Sequence, residues 1–281
     1  MTLDSLVTAI ILIIGFYILF YIGKTVNNLL HREYRLGYEL VERDNAALAL
    51  AIVGYYVGLV LAIGGAIVGP SSGLVNDLID LAVYGVLGII LLNISWYLCD
   101  KLILYKFHVS DELIRDHNQG TGAVSAAVSI ASGFIIYGSV AGEGGSIWTV
   151  LVFWLIGQVI LILTGLVYNR ITSYDIHEQI EKDNVAAGVS FAGALLAVGV
   201  IVGLAGEGDF VSWSENLFSY LAYAVIGLIL LPVVRILTDR VLLPTVRLSD
   251  EIVAQEKPNM GAAYIEAFSY IAAAFIIFWC V

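Results

Sequence analysis

Two ionisable residues stand where the chain is otherwise apolar. Glu266 falls about six residues into the last apolar segment, and Arg235 lies at a similar depth near the end of the one before, just after Pro232. At 1.5 Å per helical residue, that puts the carboxylate roughly 9 Å into the segment. Charges at such depth are costly, so they are paired or functional. The chemistry they could do is that of a mutually neutralising ion pair, structural in role, or of a gate or proton-responsive site. At an offset of 139 residues, Glu266 and Arg235 match Ala127 and Trp96. Both charges are present in one half and both absent from the other, as a pair would require.

A second set of candidates flanks the apolar segments. Asp44-Asn45 and Asp183-Asn184 immediately precede the second and sixth segments. Asp or Asn there caps a helix N-terminus and complements its positive end. The alternative is that Glu42/Asp44 and Glu181/Asp183 form one cation mouth about a pseudo-twofold axis. Ser110-Asp111-Glu112 and Ser249-Asp250-Glu251 read as a Ser cap with two acids in the first turn of short interfacial helices, stopped by Gly120 and by Pro258-Asn259. A docking surface for a cytosolic partner is their other reading. Asp100 and Asp239 end the third and seventh segments, each beside a basic residue. Ala141-Gly142-Glu143-Gly144 and Ala205-Gly206-Glu207-Gly208 place Gly-flanked carboxylates at segment ends, where Gly could simply stop a helix or Glu143 and Glu207 could take a cation weakly. Of the other polar groups in the segments, Asn93, Ser95 and Gln158, Asn93 matches Pro232, so both halves disturb one level of the same helix. The sequence lacks G-x-x-x-x-G-K-[ST], H-E-x-x-H, G-x-S-x-G and C-x-x-C, and His31, His108, His117 and His177 have no ligand spacing. No catalytic residue, metal or cofactor is expected.

The elements that must hold these groups follow from composition. With 60% hydrophobic and 13% charged residues and a mean hydropathy of +0.92, the chain has far more apolar surface than a soluble core uses. Eight segments, near 6–22, 46–68, 78–99, 122–141, 147–168, 185–205, 217–238 and 260–281, each approach the ~20 residues needed to cross a bilayer. The first has no basic residue before it and reads as a retained span rather than a cleaved signal. All thirteen Lys and Arg fall in or beside loops 1, 3, 5 and 7. Those loops are therefore expected in the cytoplasm and both termini outside. Trp148, Trp213 and Trp279 fit an outer aromatic belt, Trp96 and Tyr97 an inner one. The outer side carries Asp4, Asp77, Asp80, Glu143, Glu207, Asp209 and Glu215 with no cation, and should attract cations. Cys99 and Cys280 fall at opposite faces. A net charge of −11 without a basic patch excludes nucleic acid as a partner.

The offset of 139 also reveals a tandem duplication. Besides the residues above, Tyr84, Gly88 and Asp100 fall on Tyr223, Gly227 and Asp239. Each copy has four spans, an even number, so the copies have the same orientation. The fold expected is an all-α polytopic membrane protein with eight transmembrane helices in two parallel four-helix repeats, 1–141 and 142–281, both termini extracytoplasmic. Small residues four apart, Gly54/Gly58, Ser125/Ser129/Gly133 and Gly199/Gly203, predict close helix packing within the chain or between protomers.

The doubled pattern, E-x-D-N before a Gly-rich span, a span ending in Asp plus a basic residue, then S-D-E and a Gly-led span, resembles the domain of unknown function 350 family of bacterial inner-membrane proteins. The resemblance implies location and architecture. Some of the relatives it points to are similar to partners of phage-shock-type membrane-remodelling proteins. Expected partners are thus the lipid bilayer, a second copy in a homo-oligomer and a cytosolic membrane-remodelling protein. The function expected is a non-catalytic membrane module or scaffold whose cytoplasmic loops engage partners. The alternative is a channel-like or transporter-like protein for a small cation. Few polar groups lie deep in the spans, which favours the module.

Overall fold

The computed structural model describes residues 3–68 and 71–280. Eleven α-helices run α1 (Leu3–Leu30), α2 (Leu36–Val41), α3 (Ala46–Gly64), α4 (Leu74–Leu98), α5 (Val109–Ile114), α6 (Gln119–Val140), α7 (Ile147–Ile171), α8 (Ile176–Glu181), α9 (Val185–Ala205), α10 (Trp213–Leu237) and α11 (Met260–Cys280). Single π turns follow α4 and α10, at Cys99–Ile103 and Thr238–Leu242, and a third spans Asp250–Ala254. Among the described residues there is no strand. Eight of these helices are long and apolar enough to cross a membrane, as the sequence predicts.

The pattern that organises them is finer than a duplication. Four units follow one another, each a long helix, a short helical piece at the charged-loop end, and a returning long helix. The returning helices α3, α6, α9 and α11 pack side by side in that order, and α1, α4, α7 and α10 lie against the row. Composition decides the placement. In α9, small residues occur on every side, and 83% of its most apolar stretch is buried, against 11% for α1. Lipid accepts an apolar helix on any side, so it is the small residues, which let neighbouring backbones approach all round, that suit α9 to the middle of the row. The predicted small-residue ridges meet inside the chain: Gly54 faces Ala126, Gly58 faces Ser129 and Gly133, and Gly199 faces Ala131. The contact of Gly54 with Ala126 recurs as Gly193 with Ala267. In lipid, such close backbone approach replaces the hydrophobic effect as the cause of association.

Four asparagines fix the units to one another at the charged-loop end. Asn45, Asn118, Asn184 and Asn259 cap α3, α6, α9 and α11, each Oδ1 accepting a backbone N–H at 3.0–3.2 Å. Each Nδ2 donates to a side-chain oxygen of its own unit, on Glu39, Glu112, Gln179 and Glu251 respectively. In the first three, Nδ2 also donates to a carbonyl of the next unit: Leu113 at 2.8 Å, Ile180 at 2.6 Å and Ile252 at 2.9 Å. Asp44, His117 and Asp183, just before the first three, are left-handed, with φ of 49°, 54° and 60°. Asp and Asn tolerate that region better than most residues. The caps are therefore the asparagines, and Asp44 and Asp183 make the turn rather than the cap.

Several expectations change here. Ser110 lies inside α5, and the first amide of that helix is bound instead by Asp100 Oδ1, which accepts from Val109 N at 2.9 Å. Asp239 does the same for Leu248 N at 2.7 Å, so the two aspartates brace their loops and Ser249 makes no cap bond. The short helix ends at Ile114, and Gly120 belongs to α6. Trp96 is not in an aromatic belt but 8% exposed, edge-on to Tyr55 and His31. Tyr97, Trp148, Trp213 and Trp279 are exposed.

Replacing Asn118 with Ala removes a cap, a side-chain tie and an inter-unit bond together. The expected loss is about 1–3 kcal/mol of stability. Asn259→Ala lacks the inter-unit term and should cost less. Thermal unfolding of both variants in the same detergent checks the order.

Candidate functional site

Among the described residues, the only deeply buried charges in the spans meet where the sequence predicts. Glu266 on α11 is wholly buried and Arg235 on α10 is 6% exposed. Nη1 of Arg235 donates to Oε1 of Glu266. Pro232 stands three residues before Arg235 inside α10, where it removes one backbone donor and loosens the ladder. At the same depth α11 supplies a hydroxyl: that of Tyr270 lies 3.3 Å from the Leu231 carbonyl and 3.5 Å from Glu266 Oε1. Tyr168 of α7 donates to the same Oε1 at 3.3 Å. Nη2 of Arg235 donates to Ser249 Oγ at 3.0 Å, which ties the pair to the loop layer. The guanidinium also lies over the rings of Tyr168 and Tyr174, at 5.9 and 6.0 Å.

The pair stands where several elements meet. Tyr168 of α7 and Arg235 of α10 converge on one carboxylate oxygen of α11, and Arg235 in turn ties in Ser249. Oε2 of Glu266 has no hydrogen-bond partner, and the buried Ser190 hydroxyl of α9 faces the carboxyl outside hydrogen-bond geometry. The site also corrects the repeat alignment. Glu39 to Asn45 and Glu112 to Asn118 are six residues apart, but Glu251 to Asn259 is eight. The two extra residues move the offset of α11 to 141, so the counterpart of Glu266 is Ser125, not Ala127. Ser125 and Trp96 line one small gap in the first half, and the Ser125 hydroxyl is buried without a partner. A Trp and a Ser thus occupy the places of the Arg and the Glu.

The remaining candidates fall apart from that pair. Glu42 and Asp44 belong to the first unit, Glu181 and Asp183 to the third, and α6 stands between α3 and α9. They do not form one mouth. Glu143 and Glu207 are neighbours despite their unequal place in the repeat, because α6 and α9 end side by side. Gly142 packs on the Gly208 carbonyl, Glu143 N donates to Asp209 at 2.8 Å, and Tyr137 donates to Glu207 at 3.3 Å. Nearby, Asp77, Asp80 and Glu143 edge a shallow 510 Å³ depression on the short-loop face. Among the described residues, no group of three or more His, Cys, Asp and Glu could hold a metal ion. Cys99 is buried and Cys280 exposed, both free. In the spans, Ser95 accepts from Trp154 at 3.0 Å and Gln158 donates to Ser132 at 3.2 Å.

Sequence reasoning missed three residues of the loop layer. Asn118 and Asn259 escaped because no acid-Asn pair marks them. His177 is buried, with Nε2 2.7 Å from the Ile103 carbonyl, which fixes that nitrogen as the protonated one, and burial pulls its pKa below the ordinary range. Glu112 is held differently. Burial lifts its carboxyl above the usual carboxylate range against the donation from Asn118, with Asp116, Asp183 and Glu181 adding to the rise. A raised carboxylate pKa means that the folded protein binds the proton more tightly than the unfolded chain does. That cost to stability is absent at acid pH and present once pH exceeds the raised value. Glu112→Gln should therefore stabilise the protein at neutral pH and lose that advantage below pH 4. The third unit already has Gln179 at this place. Unfolding temperature against pH for the two proteins measures it.

The sequence comparisons agree with this architecture. The family described as Domain of Unknown Function (DUF350) matches twice in tandem, over residues 1–140 and 144–281. A UPF0719 transmembrane protein of Aquifex aeolicus (strain VF5) is 27% identical over 252 residues, which cover 88% of this chain and 90% of that relative. No solved structure matches the chain significantly. Eight apolar helices in a doubled unit and a match along almost the whole length lead to one statement: this chain is a multi-pass membrane protein belonging to the DUF350 family.

Proposed function

We propose that this protein is a non-catalytic membrane module of the bacterial inner membrane whose charged-loop face lies in the cytoplasm and engages protein partners. One observation carries the reading: the row of returning helices is closed by backbone contact. A Cβ on Gly138 would stand 1.7 Å from the Gly203 carbonyl, and one on Gly188 2.4 Å from Gly120 Cα. Contact that tight leaves no room for a file of water or ions between α6 and α9. The buried pair then serves as a joint that holds the last unit to the third. Orientation follows from the basic residues, which cytoplasmic loops retain.

The presented surface is acidic. Glu42, Asp44, Glu181 and Asp183 are exposed around the short helices, which the asparagine ties hold rigid. A partner with a basic face suits it. In-cell photo-crosslinking tests the idea, with the reactive residue placed at Glu42 or Glu181 and, for comparison, at Ser214 on the other face. Discrete protein adducts from the first two positions alone are expected. Equal labelling from both faces, or none from either, would contradict it.

A further inference from the structure

We infer that a cleft between α1 and α4 is a binding site for a phospholipid with a primary ammonium headgroup, of the phosphatidylethanolamine type. The two helices touch along their first two thirds, where Gly15 receives Leu81 and Gly23 lies against Ile89. Beyond that they part and leave a cleft of 570 Å³, within the range of about 300–1,000 Å³ usual for ligand sites. Its walls grade from apolar to polar. Val26 and Leu30 face Ile90 and Ile94 at the deeper end, and Glu33 and Asp100 stand at the charged-loop end. Leu30, Ile90 and Ile94 are 60%, 51% and 41% exposed, so in a membrane the cleft opens sideways to lipid.

The polar end sets the class of headgroup. Asn93 lines the cleft, and its Nδ2 is spent on Tyr55 and the Ile89 carbonyl, whereas its Oδ1 is buried with no partner. A buried acceptor left unpaired is unfavourable, and a donor brought into the cleft pairs with it once the side chain turns outward. Glu33 accepts the Ser110 hydroxyl at 3.1 Å and adds negative charge at the mouth. Trp96 supplies an aromatic wall that also favours a cation, while the ring of the exposed Tyr97 already carries the Lys101 ammonium at 5.9 Å. An ethanolamine headgroup offers three N–H donors and a positive charge. Choline offers the charge without donors, and glycerol offers donors but leaves the phosphate charge unbalanced against Glu33. The second half has no such cleft chemistry, because Pro232 and Arg235 replace Asn93 and Trp96 and the arginine is committed to Glu266.

Native mass spectrometry of the purified full chain tests the site, with phosphatidylethanolamine, phosphatidylcholine and phosphatidylglycerol of identical acyl chains as probes. Retention of the ethanolamine lipid should exceed the other two by about tenfold, the ratio one charge-assisted hydrogen bond gives. Glu33→Gln should reduce that preference several-fold, and Ile94→Trp, at a lipid-facing wall position, should remove bound lipid by filling the cleft. Equal retention of the three lipids, a preference for phosphatidylglycerol, or full retention in Ile94→Trp would each overturn the assignment.

Discussion

Glu266→Ser should cost the protein about 3–5 kcal/mol, the penalty for leaving a buried partner uncompensated. Arg235 would keep its contacts with Ser249 and the two tyrosine faces but lose its counter-charge in a site that is 6% exposed. The double change Arg235→Trp with Glu266→Ser should recover most of that loss, because it writes the first half's Trp96 and Ser125 into the second. The first half shows that this solution packs: Trp96 lies edge-on to Tyr55 with its ring centre 5.9 Å away. Chemical unfolding of the two single variants and the double variant gives the coupling. A double variant as unstable as the sum of the singles would mean that Glu266 and Arg235 act independently.

Gly138→Ala should be nearly as damaging for a steric reason. The added methyl would stand 1.7 Å from the Gly203 carbonyl, so α6 and α9 must separate at that level. Forcing atoms into a packed interface costs about 1–3 kcal/mol and sometimes more. Gly64→Ala is the control, since a Cβ there meets nothing within 4 Å, and a change within about 0.5 kcal/mol is expected. Comparing the two melting points separates crowding from the general effect of removing a glycine.

What the sequence shows and what it hides can be traced to particular residues. The spans were legible because apolar length is a property of the chain itself, and the pair was legible because Arg235 and Glu266 both lack charged counterparts in the other half. The fourfold unit was not. Its signature is one acid or amide and one Asn, but the spacing runs six, six, five and eight residues, which no constant offset reveals. The left-handed residue before the Asn is Asp, His and Asp in three units, and the fourth has Pro258, whose ring fixes φ negative. The serine caps misled for a physical reason. The pattern of Ser followed by two acids fits a helix start, but Asp100 and Asp239, nine residues before the amides they bind, reach round the loop and take the bond first. Trp96 misled because a belt and a core suit tryptophan equally, and only the packing of His31 and Tyr55 decides.

We propose a closed row of helices that forms a non-conducting module. Cation flux into liposomes holding the purified protein tests it most directly, with potassium and sodium gradients and both signs of membrane voltage. The closed contacts at Gly138 and Gly188 predict flux equal to that of empty liposomes. Flux above that level that disappears in Glu266→Gln would contradict the proposal and make the buried pair a gate.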